Sequence, residues 1–325
     1  KHNRSLGLLK VKPNKKKPLS RRIQNLKKKS TFPSSRVPNK VSKNSSKKVS
    51  PLGKMDSSKK KSTIISQLSK ASKEKKDQLQ MYQYDLDRAN RIQFNLLPDK
   101  IPKVPGLDIR VHYQSSKEVG GDYYDFINVD SEHLGIVVAD VSGKGVPAAM
   151  VMAMTRSFLR LLAKRNPSPK HTIMRLNKYL ARDIRGIMFV TMVYMILNIR
   201  TREMTLVNAG HNPLLLKTSS TLQIINPPGM AIGLDGGDIF NNMLQEERVV
   251  LQKGDRVLAY TDGITESMNE KEEEFGEEPL VEILQTHYTK SSQQFLNLLM
   301  EAVQKHQGEA EQHDDITVLS FRYTK

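Results

Sequence analysis

Cysteine and tryptophan are both absent from the 325 residues. Without cysteine there is no disulfide framework and no thiolate-ligated metal, and that usage fits a reducing compartment. A cytoplasmic location is therefore expected, with a membrane or sensory segment upstream of Lys1 left open. Long apolar runs are scarce as well. The longest, from Ile187 to Ile199, is interrupted by Thr191 and Asn198, is too short to span a bilayer and reads as a buried strand, so no transmembrane helix is expected. Acidic residues are almost missing from the first part of the chain: residues 1–63 hold 21 Lys and Arg but a single acid, Asp56. The formal net charge of +18 thus describes a tail, and the remainder is close to neutral.

The chain divides by composition. Residues 1–63 are rich in Lys, Ser, Asn and Pro with few large apolar groups, so burial there cannot offset chain entropy and a disordered basic tail is expected. Its lysine runs suit nonspecific contact with nucleic acid or an anionic membrane surface, although no aromatic residues interleave for base stacking. Over residues 64–98 the pattern becomes helical. Ile65, Leu68, Leu79, Tyr82, Leu86, Ala89 and Leu96 fall on steps of three and four, interrupted by polar Ser72, Lys75 and Gln93. Either a homodimeric coiled coil through residues 64–97 or a single amphipathic helix lying on its own domain satisfies that seam. Ile92 and Leu97 fall off it, so the last turns are expected to rotate onto the following domain. Residues 99–325 carry nine strand patterns in runs joined by short turns, with helices clustered between them, which argues for an α+β domain of antiparallel sheets flanked by helices.

Within that domain the chemistry concentrates around Ala139 to Met150, ADVSGKGVPAAM. The apolar run Leu134 to Ala139 ends on Asp140, a glycine-rich step follows, and Pro147 suits the first turn of a helix to Arg165. Taken alone, the stretch reads equally well as a tight turn capped by its Asp or as a grip for a hard cation or phosphate. Three other segments repeat the device. Gly120, Gly121 and Asp122 precede a strand, Asp262 and Gly263 follow one, and Asp314 and Asp315 precede another. Four such segments, with no Cys available, suggest an all-oxygen site for Mg²⁺ or Mn²⁺, and two cations would explain why mutually repelling carboxylates converge.

The segments EVGGDYYDF, ADVSGKGVPAAM, NAGHNP, KGDRVLAYTDGITE and DDITVLSF, in this order, resemble the SpoIIE/RsbU branch of the PPM (PP2C-like) metal-dependent serine/threonine protein phosphatases. The resemblance covers residues 88–325. It implies a sandwich of two antiparallel β-sheets flanked by α-helices, with two Mn²⁺ or Mg²⁺ ions bridged by Asp140. Asp262 and Asp314 would complete one ion's ligands, Asp122 and the carbonyl of Val141 the other's, and Asp140 and Asp122 would be central to catalysis. Asp315, the weaker candidate of its pair, would instead orient Asp314 from behind, and Gly121 and Gly263 would stand behind the ligands. The implied reaction is hydrolysis of phosphoserine or phosphothreonine on a regulatory protein, by analogy a STAS-domain partner in a partner-switching pathway. The better-known members carry His where this chain has Ser142, which leaves the proton donor to the leaving alcohol unassigned. Lys144 is expected to be a solvated loop lysine and His211 a structural turn residue, and Pro227 to Gly233 a loop near the site. Two other readings remain: a catalytically degenerate regulatory scaffold, and a binder of nucleic acid or membrane through the tail.

Overall fold

The computed structural model describes residues 57–325, with side chains from Ser66 onward. The basic stretch up to residue 56 lies outside the described residues. The first helix, α1, is Ser57–Leu96, so it begins ahead of the Ile64 expected from periodicity. Residues 66–325 form one compact unit.

Among the described residues, ten strands make two five-stranded antiparallel sheets. The first has the order β1 (Leu107–Gln114), β10 (Ile316–Tyr323), β9 (Arg256–Tyr260), β6 (Leu214–Lys217), β7 (Leu222–Ile225). The second runs β2 (Tyr123–Asn128), β3 (His133–Val141), β4 (Val190–Asn198), β5 (Glu203–Ala209), β8 (Glu246–Val250). The fold is the expected sandwich of antiparallel sheets with flanking helices.

Strand alternation builds the layers. Along β3, Ile136 and Val138 enter the core between the sheets with Ile109, Val193, Met195, Leu319 and Phe321. Val137 and Ala139 point the other way, onto α2 (Val146–Ala163) and α3 (Pro169–Ile184), where Met152, Leu159, Ile173 and Leu180 pack. On the far side of the first sheet, Leu258, Tyr260 and Val318 meet Leu284, Phe295 and Leu299 of α6 (Glu277–His287) and α7 (Ser292–Gln307). Because both faces of β3 and β4 are covered, these strands read as continuous apolar runs. The helix starts have local causes: Pro147 and Pro169 sit in first turns, the Ser168 hydroxyl accepts from the His171 N–H, and Ser291 with Gln294 forms a capping box.

Short elements escaped the sequence reading: β7, the six-residue α4 (Asp238–Met243) and the four-residue α5 (Asp262–Thr265). Another difference concerns α2, which is long and apolar enough to cross a membrane by length and composition. Here Ala148, Met152, Leu159 and Ala163 are fully buried, Arg156 donates to the Leu96 carbonyl (3.0 Å), and Arg160 is engaged beneath β2. That is the packing of a core helix.

Arg160 grips Asp125 through two hydrogen bonds, Nε to Oδ2 (2.6 Å) and Nη2 to Oδ1 (2.7 Å), and the Tyr123 hydroxyl donates to the same carboxylate at 2.7 Å. Asp125 is fully buried and also accepts the Phe126 N–H (2.8 Å), so Arg160 is the cation in a fully hydrogen-bonded site. Arg160→Leu is expected to destabilise the domain by about 3 kcal/mol, read as a lower midpoint in urea unfolding, because it strands a buried carboxylate. Adding Asp125→Asn to it should recover part of the loss; a single variant of unchanged midpoint would contradict this reading.

Candidate metal centre

Both sheets deliver carboxylates to the same end of the sandwich. From the second sheet, β3 ends at Asp140 and Val141, which stand opposite Thr191 and Val190 of β4, and Asp122 immediately precedes β2. From the first sheet, α5 begins at Asp262 directly after β9, and Asp314 and Asp315 lead into β10. Carboxylate oxygens of Asp262, Glu266 and Asp314 lie within 4.8 Å of one another. Glu266 was missed in the sequence. Its signal was present, because one turn of helix from Asp262 brings residue i+4 onto the same face, but that turn is too short to show periodicity.

Asp122 is buried, and its Oδ2 accepts from Thr261 Oγ1 (2.8 Å), just past the end of β9, and Thr317 Oγ1 (2.6 Å), in β10, both from the first-sheet side. Asp315 makes the reciprocal clasp. Its Oδ1 accepts from the Ser116 N–H (2.8 Å) and hydroxyl (3.0 Å), and its Oδ2 from the N–H groups of Gly121 (2.7 Å) and Asp122 (3.3 Å). The two adjacent acids thus stand apart: Asp314 faces the carboxylate cluster, and Asp315 spends both oxygens on the loop that carries Asp122. Gly121 and Gly263 permit this crowding. A Cβ at Gly121 would lie 2.8 Å from the Val141 carbonyl oxygen, and one at Gly263 would lie 2.0 Å from the Asp315 carbonyl oxygen.

Burial pushes the Asp122 carboxyl well above the ordinary carboxylate range, the charges of Asp140 and Asp315 push it further, and the two threonine hydroxyls only partly oppose them. A divalent cation would offset that repulsion. The donors are all oxygens and three of them are clustered, a set suited to Mg²⁺ or Mn²⁺ rather than to a softer metal.

The surrounding residues have defined places. Ser142 stitches its loop to Phe189, donating its N–H to the Phe189 carbonyl and accepting the Phe189 N–H on its hydroxyl, both at 2.9 Å. His211 is buried, with Nδ1 2.9 Å from the Thr191 hydroxyl, which in turn donates to the Asp140 carbonyl at 3.3 Å. Lys144 is an exposed loop lysine, as expected, and its ammonium also pairs with Asp314 at 3.2 Å and donates to the His313 carbonyl. Pro227 to Gly233 supplies Ile232, which pairs with Val190, the β4 residue that stands opposite Val141. From α1, the buried Gln93 amide grips Gly120 twice, donating to its carbonyl (2.6 Å) and accepting its N–H (3.0 Å). Leu97 is buried whereas Ile92 is 63% exposed, so the helix end docks through Gln93 and Leu97 and not through Ile92.

A sequence model of the family described as Stage II sporulation protein E (SpoIIE) matches residues 130–324, a span that holds Asp140, Asp262, Glu266 and Asp314 but stops short of Asp122. The phosphoserine phosphatase RsbU of Bacillus subtilis is 30% identical over 241 residues, covering 73% of this chain and 70% of RsbU. The phosphoserine phosphatase RsbP of the same organism is 26% identical over 186 residues, covering 55% of this chain and 45% of RsbP, so the chain matches less than half of that relative. Among solved structures, the SiaA-PP2C domain of Pseudomonas aeruginosa superposes with a TM-score of 0.67 at 22% identity, covering 75% of this chain and 98% of that one.

The raised pKa of Asp122 has a signed consequence. Its folded value lies above its unfolded one, so the metal-free fold binds more protons between them and loses stability as pH rises from about 4, the ordinary carboxylate value. In EDTA, Asp122→Asn is expected to be more stable than the wild type at pH 7, with the gap closing toward pH 4. Thermal unfolding at the two pH values checks this, and a less stable variant at pH 7 would overturn it.

Proposed function

The chain belongs to the SpoIIE family, and from that premise we propose that it is a metal-dependent phosphatase hydrolysing phosphoserine or phosphothreonine on a regulatory protein. The observation that carries the reading is the convergence of Asp262, Glu266 and Asp314 with Asp122 and Asp140 from opposite sheets. In it, Asp140, Asp122, the Val141 carbonyl, Asp262 and Asp314 would hold two divalent cations, with Glu266 beside them. Two such divalent cations would supply the charge that activates a water and stabilises the phosphoryl oxygens.

This chain's own residues do the rest. Thr261 and Thr317 fix the rotamer of Asp122, so its free oxygen keeps one direction. Asp315 holds the backbone of Gly121 and Asp122, which makes it a positioning residue. Thr191, backed by His211, holds the Asp140 carbonyl and with it the strand end. Presence of the whole carboxylate set supports an active enzyme over a degenerate scaffold.

The substrate proposed from the RsbU and RsbP likeness is a phosphorylated STAS-type protein in a partner-switching pathway. A second element of the proposal is a homodimer through residues 64–97. Leu68, Leu79 and Tyr82 are each roughly 60% exposed on α1, while Gln93 ties the helix to the loop of Asp122. Pairing of the helices would then bias the site through its differential fit to the two loop arrangements. Contacts of the basic tail with nucleic acid or membrane would localise the enzyme without forming its site.

Phosphate release from p-nitrophenyl phosphate with Mn²⁺, with Mg²⁺ and with EDTA tests the enzyme reading. Turnover should require the metal and be abolished by Asp140→Asn in a protein that remains folded by circular dichroism. Asp315→Asn should lose about 10- to 100-fold, as expected for a group that positions ligands. Turnover in EDTA, or a fully active Asp140→Asn, would sink the assignment. For the helix, the Leu79→Asp/Leu86→Asp double variant should fall from dimer to monomer by light scattering and change its rate on a phosphoprotein substrate. A monomeric wild type with an equal rate in the variant would make α1 a passive spacer.

A further inference from the structure

The Gly143-Lys144-Gly145 step has so far no place in the chemistry. Both glycines adopt left-handed φ values, 91° and 73°, and a Cβ at Gly145 would meet nothing within 4 Å. Sterics therefore do not demand glycine at 145; the backbone conformation does. Lys144 sits between these two swivels, at the start of α2 and three residues beyond Val141. Its ammonium reaches across the sandwich end to Asp314 Oδ2 at 3.2 Å and donates to the His313 carbonyl. Asp314 is one of the three clustered carboxylates, together with Asp262 and Glu266.

Three carboxylates gathered within 4.8 Å repel one another, and the Lys144 ammonium beside Asp314 removes part of that repulsion. We infer that Lys144 is a placeholder cation: its ammonium neutralises the Asp262–Glu266–Asp314 cluster when no divalent ion is bound and is displaced, on its glycine swivels, when one binds. This rests on the metal-centre reading above. The side chain is partly exposed, as is Asp314, so the pair is weak enough to be exchanged. A lysine fits the task better than an arginine, because a flexible stem with a compact ammonium forms no bidentate fork that would lock the carboxylate.

Two consequences follow from competition between Lys144 and the metal for one carboxylate. Removing the ammonium should tighten metal binding, and it should destabilise only the metal-free protein. Calorimetric titration of the full chain with MnCl₂ after EDTA treatment and dialysis tests the first. Lys144→Met is expected to bind Mn²⁺ about three- to tenfold more tightly than the wild type, with the gap shrinking at high salt. Lys144→Arg should bind no more tightly than the wild type. Thermal unfolding tests the second: Lys144→Met should melt below the wild type in EDTA and level with it in saturating Mn²⁺. Equal or weaker Mn²⁺ binding by Lys144→Met would overturn the placeholder role. A wild type that binds no Mn²⁺ at all would overturn the metal centre itself, which separates the two failures.

Discussion

The structure depends on a buried carboxylate clasped across the seam of the sandwich. Asp122 belongs to the second sheet by sequence, yet Thr261 and Thr317 hold its Oδ2 from the first-sheet side. Asp315 returns the arrangement from the first sheet by accepting the N–H groups of Gly121 and Asp122. Buried donors and acceptors left unmatched cost free energy, so these pairs fix the relative position of the two sheets at the end where the other carboxylates emerge. Burial, with the charges of Asp140 and Asp315, leaves Asp122 charged only at a cost that the threonine hydroxyls partly offset, and that cost marks the place where a cation is wanted.

From this constraint the rest of the site can be ordered. Strand β3 ends where Asp140 and Val141 face β4, and the Thr191 hydroxyl and the buried His211 secure the end from behind. Strand β9 passes directly into α5, whose single turn sets Asp262 and Glu266 on one face toward Asp314. The Gln93 amide extends the same network outward, since it grips the backbone of Gly120, two residues before Asp122. The end of α1 is thereby tied to the loop of Asp122, the carboxyl that burial holds well above the ordinary range.

Much of this could be read from the amino-acid sequence, for definite reasons. β3, β4 and β10 are long, β-branched and bounded by glycine or Asp, so periodicity and breakers located them. Asp140, Asp122, Asp262 and Asp314 were visible because each stands where a strand meets a tight turn. Glu266 was hidden, because a one-turn helix has too few residues to show a period, and β7 was hidden because Leu222–Ile225 alternates too briefly. Asp315 was expected to orient its neighbour Asp314, whereas its carboxylate hydrogen-bonds Ser116, Gly121 and Asp122, nearly two hundred residues away in sequence, which no local pattern announces. The partner of Lys144 could not be read at all, since nothing in a GKG step says which acid its side chain will reach.

Carboxylates from both sheets are proposed to serve one binuclear centre, and anomalous diffraction at the manganese edge from crystals of residues 66–325 grown with Mn²⁺ tests this. Two peaks are expected beside Asp140, one also touching Asp122 and the Val141 carbonyl and the other touching Asp262 and Asp314. A single peak confined to Asp262, Glu266 and Asp314, with Asp122 and Asp140 making no contact to metal, would contradict it.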